Sequence, residues 1–257
     1  MSFRARISIL LGTTLAVGAG LFLLPRIPQD PAYHRFADTR GWLGVPNFLN
    51  VVSNLPFLLV GVAGLRFTLE KESRDHFVAP QERWPWTAFY LGIALTCFGS
   101  AYYHSAPANA PLVWDRLPMA VGFMGVLAAI IAERIDLSAG LIALPVLMAV
   151  GLFSVLQWYA GELRGEGDLR LYVMVQFYTL LVVPLIMALF PPRYTHGADL
   201  LAAVGIYVVA KLLEVSDGFI FRLGHVVSGH TLKHLIAPLA GYWILRMLAR
   251  RQPVAVA

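Results

Sequence analysis

The sequence predicts an all-α integral membrane protein, and three observations carry that prediction. Of its 257 residues, 58% are hydrophobic and only 14% charged, with a mean hydropathy of +0.67. A soluble domain carries roughly 25% charged residues, so close to half the expected charge is missing. The apolar residues run continuously instead of alternating, which suits helices and argues against a transmembrane β-barrel. Eight of these runs have the ~17–25 residues that a helix needs to cross hydrocarbon.

The eight windows are residues 7–24, 47–66, 86–104, 112–132, 138–159, 169–190, 198–217 and 228–249. The first, ISILLGTTLAVGAGLFLL, follows the basic start MSFRAR. Signal peptides open in this way, but no clear A-x-A site follows and LFLLP prolongs the apolar run, so it is read as a retained span. The segment 25–46 is rich in proline and aromatics, and the segment 68–85 is charged with mixed sign, so both are loops. No internal repeat or linker interrupts the pattern, and residues 1–257 are expected to form one transmembrane domain.

With eight spans, one side carries Arg4, Arg6, Arg66, Lys71, Arg74, Arg83, Arg134, Arg193, Arg246, Arg250 and Arg251, eleven cations in all. The other side carries six: Arg26, Arg35, Arg40, Arg164, Arg170 and Arg222. Positive residues are retained in the cytoplasm, so both termini are expected there. The net charge of +5 is thereby a signal of topology. No basic face or long basic run marks a nucleic-acid binder, and no obligate protein partner is evident. Cys97, the one cysteine, excludes an internal disulfide and any multi-cysteine metal site.

Ionisable groups in hydrocarbon are costly, which makes each a functional hypothesis. His104 ends the third window, Asp115 and Arg116 begin the fourth, and Glu214 and Asp217 end the seventh. His230, Lys233 and His234 begin the eighth, and Asn50, Ser53 and Asn54 begin the second. With alternating helix directions all of these fall toward the membrane face opposite the termini. His230 and His234 are four residues apart and present two imidazoles to one point, as zinc-binding helices do. A third imidazole from His104 makes a three-histidine site with an open position, the layout of catalytic zinc. Ser100, four residues before His104, shares its helix face.

Other readings stand beside this one. Each histidine taken alone suits an interhelical hydrogen bond. Bis-histidine haem, in a membrane electron carrier, is a rival, although it needs opposed imidazoles and an i, i+4 pair cannot ligate both faces. Asp115 suits either a catalytic role or an ion pair with Arg116, and Asn50, Ser53 and Asn54 suit hydrogen bonding between helices. Glu214 and Asp217 are candidates for support of the histidines or for simple interfacial positions. The offset of His225 from His230 faces it elsewhere, and His34, His76 and His196 are expected in solvated loops.

Three blocks, NFLNVVSNLPFLLVG, GSAYYHSAPANAPLVWDRLPM and GHTLKHLIAPLAGYWIL, resemble in that order the alkaline ceramidases. That family belongs to a superfamily of seven-helix membrane hydrolases that includes the adiponectin and progestin receptors and GPI-remodelling proteins. The matching pattern is Asn50, Ser53 and Asn54; Ser100 and His104; Asp115 before Leu117, Pro118 and Met119; then His230 and His234. The resemblance covers about residues 36–250 and implies a seven-helix transmembrane bundle, with 7–24 as one additional N-terminal span. It implies zinc held by His104, His230 and His234, with Ser100 and Asp115 around the water, and a supporting network of Asn50, Ser53, Asn54 and Asp217. The implied substrate is a membrane lipid, ceramide or a ceramide-like molecule, cleaved at its amide bond. Eukaryotic members carry an acidic calcium-binding segment before the first family helix. Here FADTRGWLGVPN offers only Asp38 and Asn47, whereas Ca²⁺ takes about 6–8 oxygens. Calcium is therefore a doubtful second cofactor. The alternatives are hydrolysis of another lipid amide or ester, a receptor-like protein with structural zinc, and a serine nucleophile at Ser100 that leaves His230 and His234 without a role.

Overall fold

The structure, a computed structural model, describes residues 1–254, apart from the side chain of Glu72. Helix occupies most of each of the eight expected windows, the second being broken by a turn at Ser53 and Asn54. In chain order the helices are α1 (Phe3–Leu23), α2 (Phe48–Val52), α3 (Leu55–Leu69), α4 (Arg83–Ser105), α5 (Asn109–Arg134) and α6 (Leu137–Glu162). They continue with α7 (Arg170–Val173), a π-helical turn at Met174–Tyr178, α8 (Thr179–Leu189), α9 (Ala198–Val215), α10 (Asp217–Gly224) and α11 (Gly229–Arg250). Among the described residues, five helical stretches are long and apolar enough to cross a membrane: Phe3–Leu23, Phe48–Leu69, Asn109–Arg134, Leu137–Glu162 and Arg170–Leu189. The chain is an all-α, multi-span membrane protein.

The other three windows, on α4, α9 and α11, are helical but more polar. The reason is local: α4 carries His104, α9 carries Lys211 and Glu214, and α11 carries His230, Lys233 and His234. These side chains turn inward, so composition underestimates how apolar the outer faces are. Phe98, Val208, Leu212 and Leu239 project from those same helices and are exposed.

Helix starts follow capping chemistry. The side chains of Ser2, Asp136 and Ser228 accept from Ala5 N, Ala139 N and Thr231 N, satisfying backbone donors that have no intrahelical partner. Packing joins α3 to α4, α4 to α5, α5 to α6, and α11 to both α9 and α3. Trp86, Tyr90, Leu112, Ile130, Trp158, Ile186 and Leu248 fill the core. By contrast α1 has no buried residue and meets the bundle edge through Thr14, whose hydroxyl bonds that of Tyr178, and through Phe3 against Phe190 at 6.0 Å.

The two ends of the bundle are both polar, and they differ in kind. At the end where α5 and α11 finish, Arg251 donates to Glu133 at 2.6 Å, and Trp86 Nε1 donates to the same carboxylate at 2.7 Å. Glu82 lies next to these, fully buried, paired with Arg193 at 3.0 Å and accepting from the Tyr194 hydroxyl. Burial raises the Glu82 carboxyl above its ordinary pKa. At the opposite end, where α4 finishes and α11 starts, the candidate site lies beneath residues 35–47. That segment folds back on itself between Trp42 and Val45, with Leu43 and Gly44 at φ 51° and 77°.

Candidate metal centre

Four local features bring the site together. Gly99 packs so closely on α5 that a Cβ there would sit 1.9 Å from the Trp114 carbonyl oxygen, and this approach sets Ser100 and Asp115 along one cavity. Gly229 does the same at the start of α11, where a Cβ would lie 2.2 Å from the Leu213 carbonyl oxygen. The α2–α3 break at Ser53 and Asn54 turns the Ser53 hydroxyl toward α11. Finally, Asp217 Oδ1 accepts from His230 N at 2.8 Å and Oδ2 from Ala37 N at 2.8 Å, tying the first turn of α11 to the overlying segment.

His104, His230 and His234 are all buried, and their ring centroids form a near-equilateral triangle with sides of 4.7, 4.7 and 4.8 Å. Each offers one nitrogen, and these atoms lie within 4.8 Å of one another. The Nε2 atoms of His104 and His230 are 3.2 Å apart. Tetrahedral zinc with Zn–N bonds of 2.0–2.1 Å sets its ligand nitrogens about 3.3 Å apart. Among the described residues His234 Nε2 has no hydrogen-bond partner although it is buried, whereas its Nδ1 lies 2.9 Å from Ser53 Oγ. Binding of an ion through Nε2 would leave Nδ1–H to donate to Ser53 Oγ, the tautomer in which the Nε2 lone pair points to the centre. An orphaned buried nitrogen beside two close imidazole nitrogens fits a metal ion, and the cluster could hold one.

The expected network resolves into distinct tasks. Ser53 orients His234. Asn50 accepts from Thr231 Oγ1 at 2.8 Å and donates to Asp38 O at 3.2 Å, bridging α2, α11 and the overlying segment. Asn54 donates to Asn50 O at 2.8 Å and stays within its own turn. Asp217 holds backbone, not an imidazole. Glu214 is paired with Lys233 at 2.9 Å and with Lys211, and Lys233 Nζ is 3.3 Å from His230 Nε2.

One expectation, for His34, needs correction, and two open questions narrow. The doubtful calcium site gains no support: the Asp38 carboxylate accepts from Arg40 Nε at 2.8 Å and Nη2 at 2.7 Å, and Asn47 Nδ2 donates to His104 O at 2.9 Å. These hydrogen bonds from Arg40 hold the Asp38 carboxyl below its ordinary pKa. His34 is not free in solvent but bonded to the Tyr103 hydroxyl at 3.0 Å and Asn109 Oδ1 at 2.9 Å. Asp115 is not ion-paired with Arg116; successive residues on a helix point about 100° apart. His225, exposed and left-handed at φ 52°, lies outside the cluster, as expected.

A cavity of about 430 Å³ opens from His234. Ser100, Asp115, Lys233 and Glu214 face it, and most of its wall is apolar, with Phe57, Phe89, Met119 and Phe123 among the contributors. Such a shape accommodates a molecule with an aliphatic body and a few polar atoms. The π-helical turn Met174–Tyr178 belongs to this wall, and its Gln176 Nε2 donates to the Tyr207 hydroxyl at 2.7 Å. Sequence reasoning missed Phe36, which packs on His104 and His230 with ring centroids 4.6 and 4.8 Å away. It also missed Thr231, although its place between the two α11 histidines was a usable signal. The chain matches no protein-family model, and no curated protein resembles it closely enough to count as a match.

Proposed function

We propose that the protein is a zinc-dependent intramembrane lipid amidase of the alkaline ceramidase type. It would hydrolyse the amide bond of ceramide, or a ceramide-like lipid, to a sphingoid base and a fatty acid. The observation that supports this most is a cluster of three buried imidazoles, one of which, His234, lines a cavity that Ser100 and Asp115 also line. On this reading the helices after α1 form the family's seven-helix bundle in a single transmembrane domain. Both termini are cytoplasmic, and the site lies toward the opposite face. The lipid's head reaches the polar end of the cavity while its chains remain against the apolar wall.

His104, His230 and His234 would hold the ion. When bound, zinc supplies Lewis acidity, acidifying a water and polarising the amide carbonyl. Asp115 takes the proton from the attacking water and delivers it to the leaving amine nitrogen. Ser100 Oγ–H donates to the carbonyl oxygen as it gains negative charge. Ser53 and Asn50 keep His234 and the first turn of α11 in place through the contacts described above.

The test is metal analysis coupled to product mass spectrometry on the purified protein. The expected result is about one zinc per chain, release of sphingoid base and fatty acid, and loss of turnover by at least ~100-fold in Asp115→Asn with zinc retained. Undiminished turnover in that variant refutes the assignment of Asp115. Zinc without turnover of any lipid amide refutes the hydrolase and favours a receptor-like protein with structural zinc.

A further inference from the structure

The cavity contains a second recognition element that hydrolysis of a neutral amide does not use. Arg116 is only 5% exposed, yet among the described residues no carboxylate lies within ion-pair distance of it. Its guanidinium is enclosed by aromatic rings, with Trp158, Tyr172 and Tyr33 centroids at 4.2, 4.8 and 5.6 Å. Nη2 donates to Gln29 Oε1 at 2.7 Å, while Nη1 is buried with no partner. The nearby Glu162 carboxylate is engaged elsewhere, by Gln29 N at 3.2 Å, Asn109 Nδ2 at 3.1 Å and Trp158 Nε1 at 3.1 Å.

An unneutralised buried cation is expensive, and aromatic faces offset only part of that cost. A purely structural strut between α5 and the 25–47 segment would be served by a neutral glutamine or a lysine in better-hydrated surroundings. What a guanidinium adds is a planar pair of donors, and here one of the pair is left free. Arg116, Gln29, Tyr33 and Tyr172 all line the cavity that His234 and Asp115 also line.

The geometry points to Arg116 as a receptor for an oxyanion, a phosphate or carboxylate, carried by the molecule that occupies the cavity. Nη1, enclosed and without a partner among the described residues, would reach the anionic oxygen through a shift of the guanidinium, Gln29 holds it by its other nitrogen, and the three rings keep water out. In relation to the amidase reading, on which this rests for the ligand being a substrate, the preferred lipid amide is an anionic one.

The experiment uses zinc-loaded full-length protein in neutral detergent. Ligand binding is followed by tryptophan fluorescence, since Trp158 stacks on the guanidinium, and by thermal unfolding. The probes cannot be cleaved: dodecyl phosphate, dodecanoate, dodecanol and inorganic phosphate. Dodecyl phosphate or dodecanoate should bind about 10–100-fold tighter than dodecanol, as expected for a charged hydrogen bond in a buried site. Arg116→Gln should lose that preference at unchanged zinc content, which separates Arg116 from anion binding at the metal. Arg116→Lys should recover part of it. Inorganic phosphate binding as tightly as dodecyl phosphate would support the receptor and identify its ligand as a free ion. Equal affinity for dodecanol and both anionic amphiphiles overturns the proposal, and wild type alone decides this if Arg116→Gln does not fold. Turnover of ceramide and of ceramide 1-phosphate is then compared. Anion preference without turnover of either sinks the amidase and leaves the receptor standing; cleavage of ceramide with no anion preference does the reverse.

Discussion

Replacing Ser53 with alanine removes one atom from the surroundings of the candidate metal centre and none of its three imidazoles. Ser53 Oγ is 2.9 Å from His234 Nδ1, and the two residues are 6% and 1% exposed, so water has little room to substitute for the lost acceptor. Two consequences follow from that geometry. The His234 ring loses the contact to its Nδ1, and the Nδ1–H tautomer that metal binding through Nε2 would require loses its acceptor. Losing such an outer hydrogen bond costs about 10–100-fold in metal affinity, equivalent to about 1.4–2.7 kcal/mol. The assay is zinc competition against a chromophoric chelator in detergent at neutral pH. His234→Ala, which removes a ligand outright, sets the lower limit, and Ser53→Thr, which keeps a hydroxyl, should restore most of the affinity. Wild-type affinity in Ser53→Ala would show that the hydroxyl does not orient a ligand, and the tautomer assignment would fall with it.

Three further outcomes are expected. Asp38 is held below its ordinary pKa, so its contribution to stability is complete above the unfolded-state value of about 4 and is lost as pH falls through the lower, folded value; the protection factors of amides 36–40, corrected for the intrinsic pH dependence of exchange, should therefore fall between about pH 6 and a pH well below 4, and equal protection factors at both contradict the role of the Arg40 pair. Glu133→Leu strands the Arg251 guanidinium, which is 1% exposed, and should destabilise the protein by about 3–5 kcal/mol in detergent unfolding while zinc per folded molecule stays unchanged. Gly229→Ala forces a Cβ to within 2.2 Å of the Leu213 carbonyl oxygen and must shift the first turn of α11; a loss of about 1–3 kcal/mol together with weakened zinc binding is expected, and unaltered binding would show that the turn does not position His230.

Run length made the helices legible, because the thickness of hydrocarbon dictates how many apolar residues a span needs. The histidine trio was legible for a similar reason. An i, i+4 pair fixes two rings on one helix face, and counting helix directions puts His104 at the same depth. What spacing could not reveal was assembled by contacts between distant parts of the chain. His34 reads from sequence as a solvated loop residue, yet it ends a short 3-10 turn, Pro31–His34, and its two nitrogens meet Tyr103 and Asn109, 69 and 75 residues away. Asp115 next to Arg116 looks like an ion pair in one dimension, but the helix points the two apart. The π-helical turn at Met174–Tyr178 has no marker in its sequence, since MVQFY is as compatible with an ordinary α-helix.

Asp217 serves two structures with one side chain. One carboxylate oxygen steadies the backbone beneath His230, and the other fastens Ala37 above it, beside Phe36 with its ring against two of the imidazoles. Peeling the cover away therefore breaks a bond made by the same group that aligns the helix below. Cover and helix start are thus coupled through one carboxylate: displacing residue 37 would remove one of the two bonds that hold Asp217 in place beneath His230.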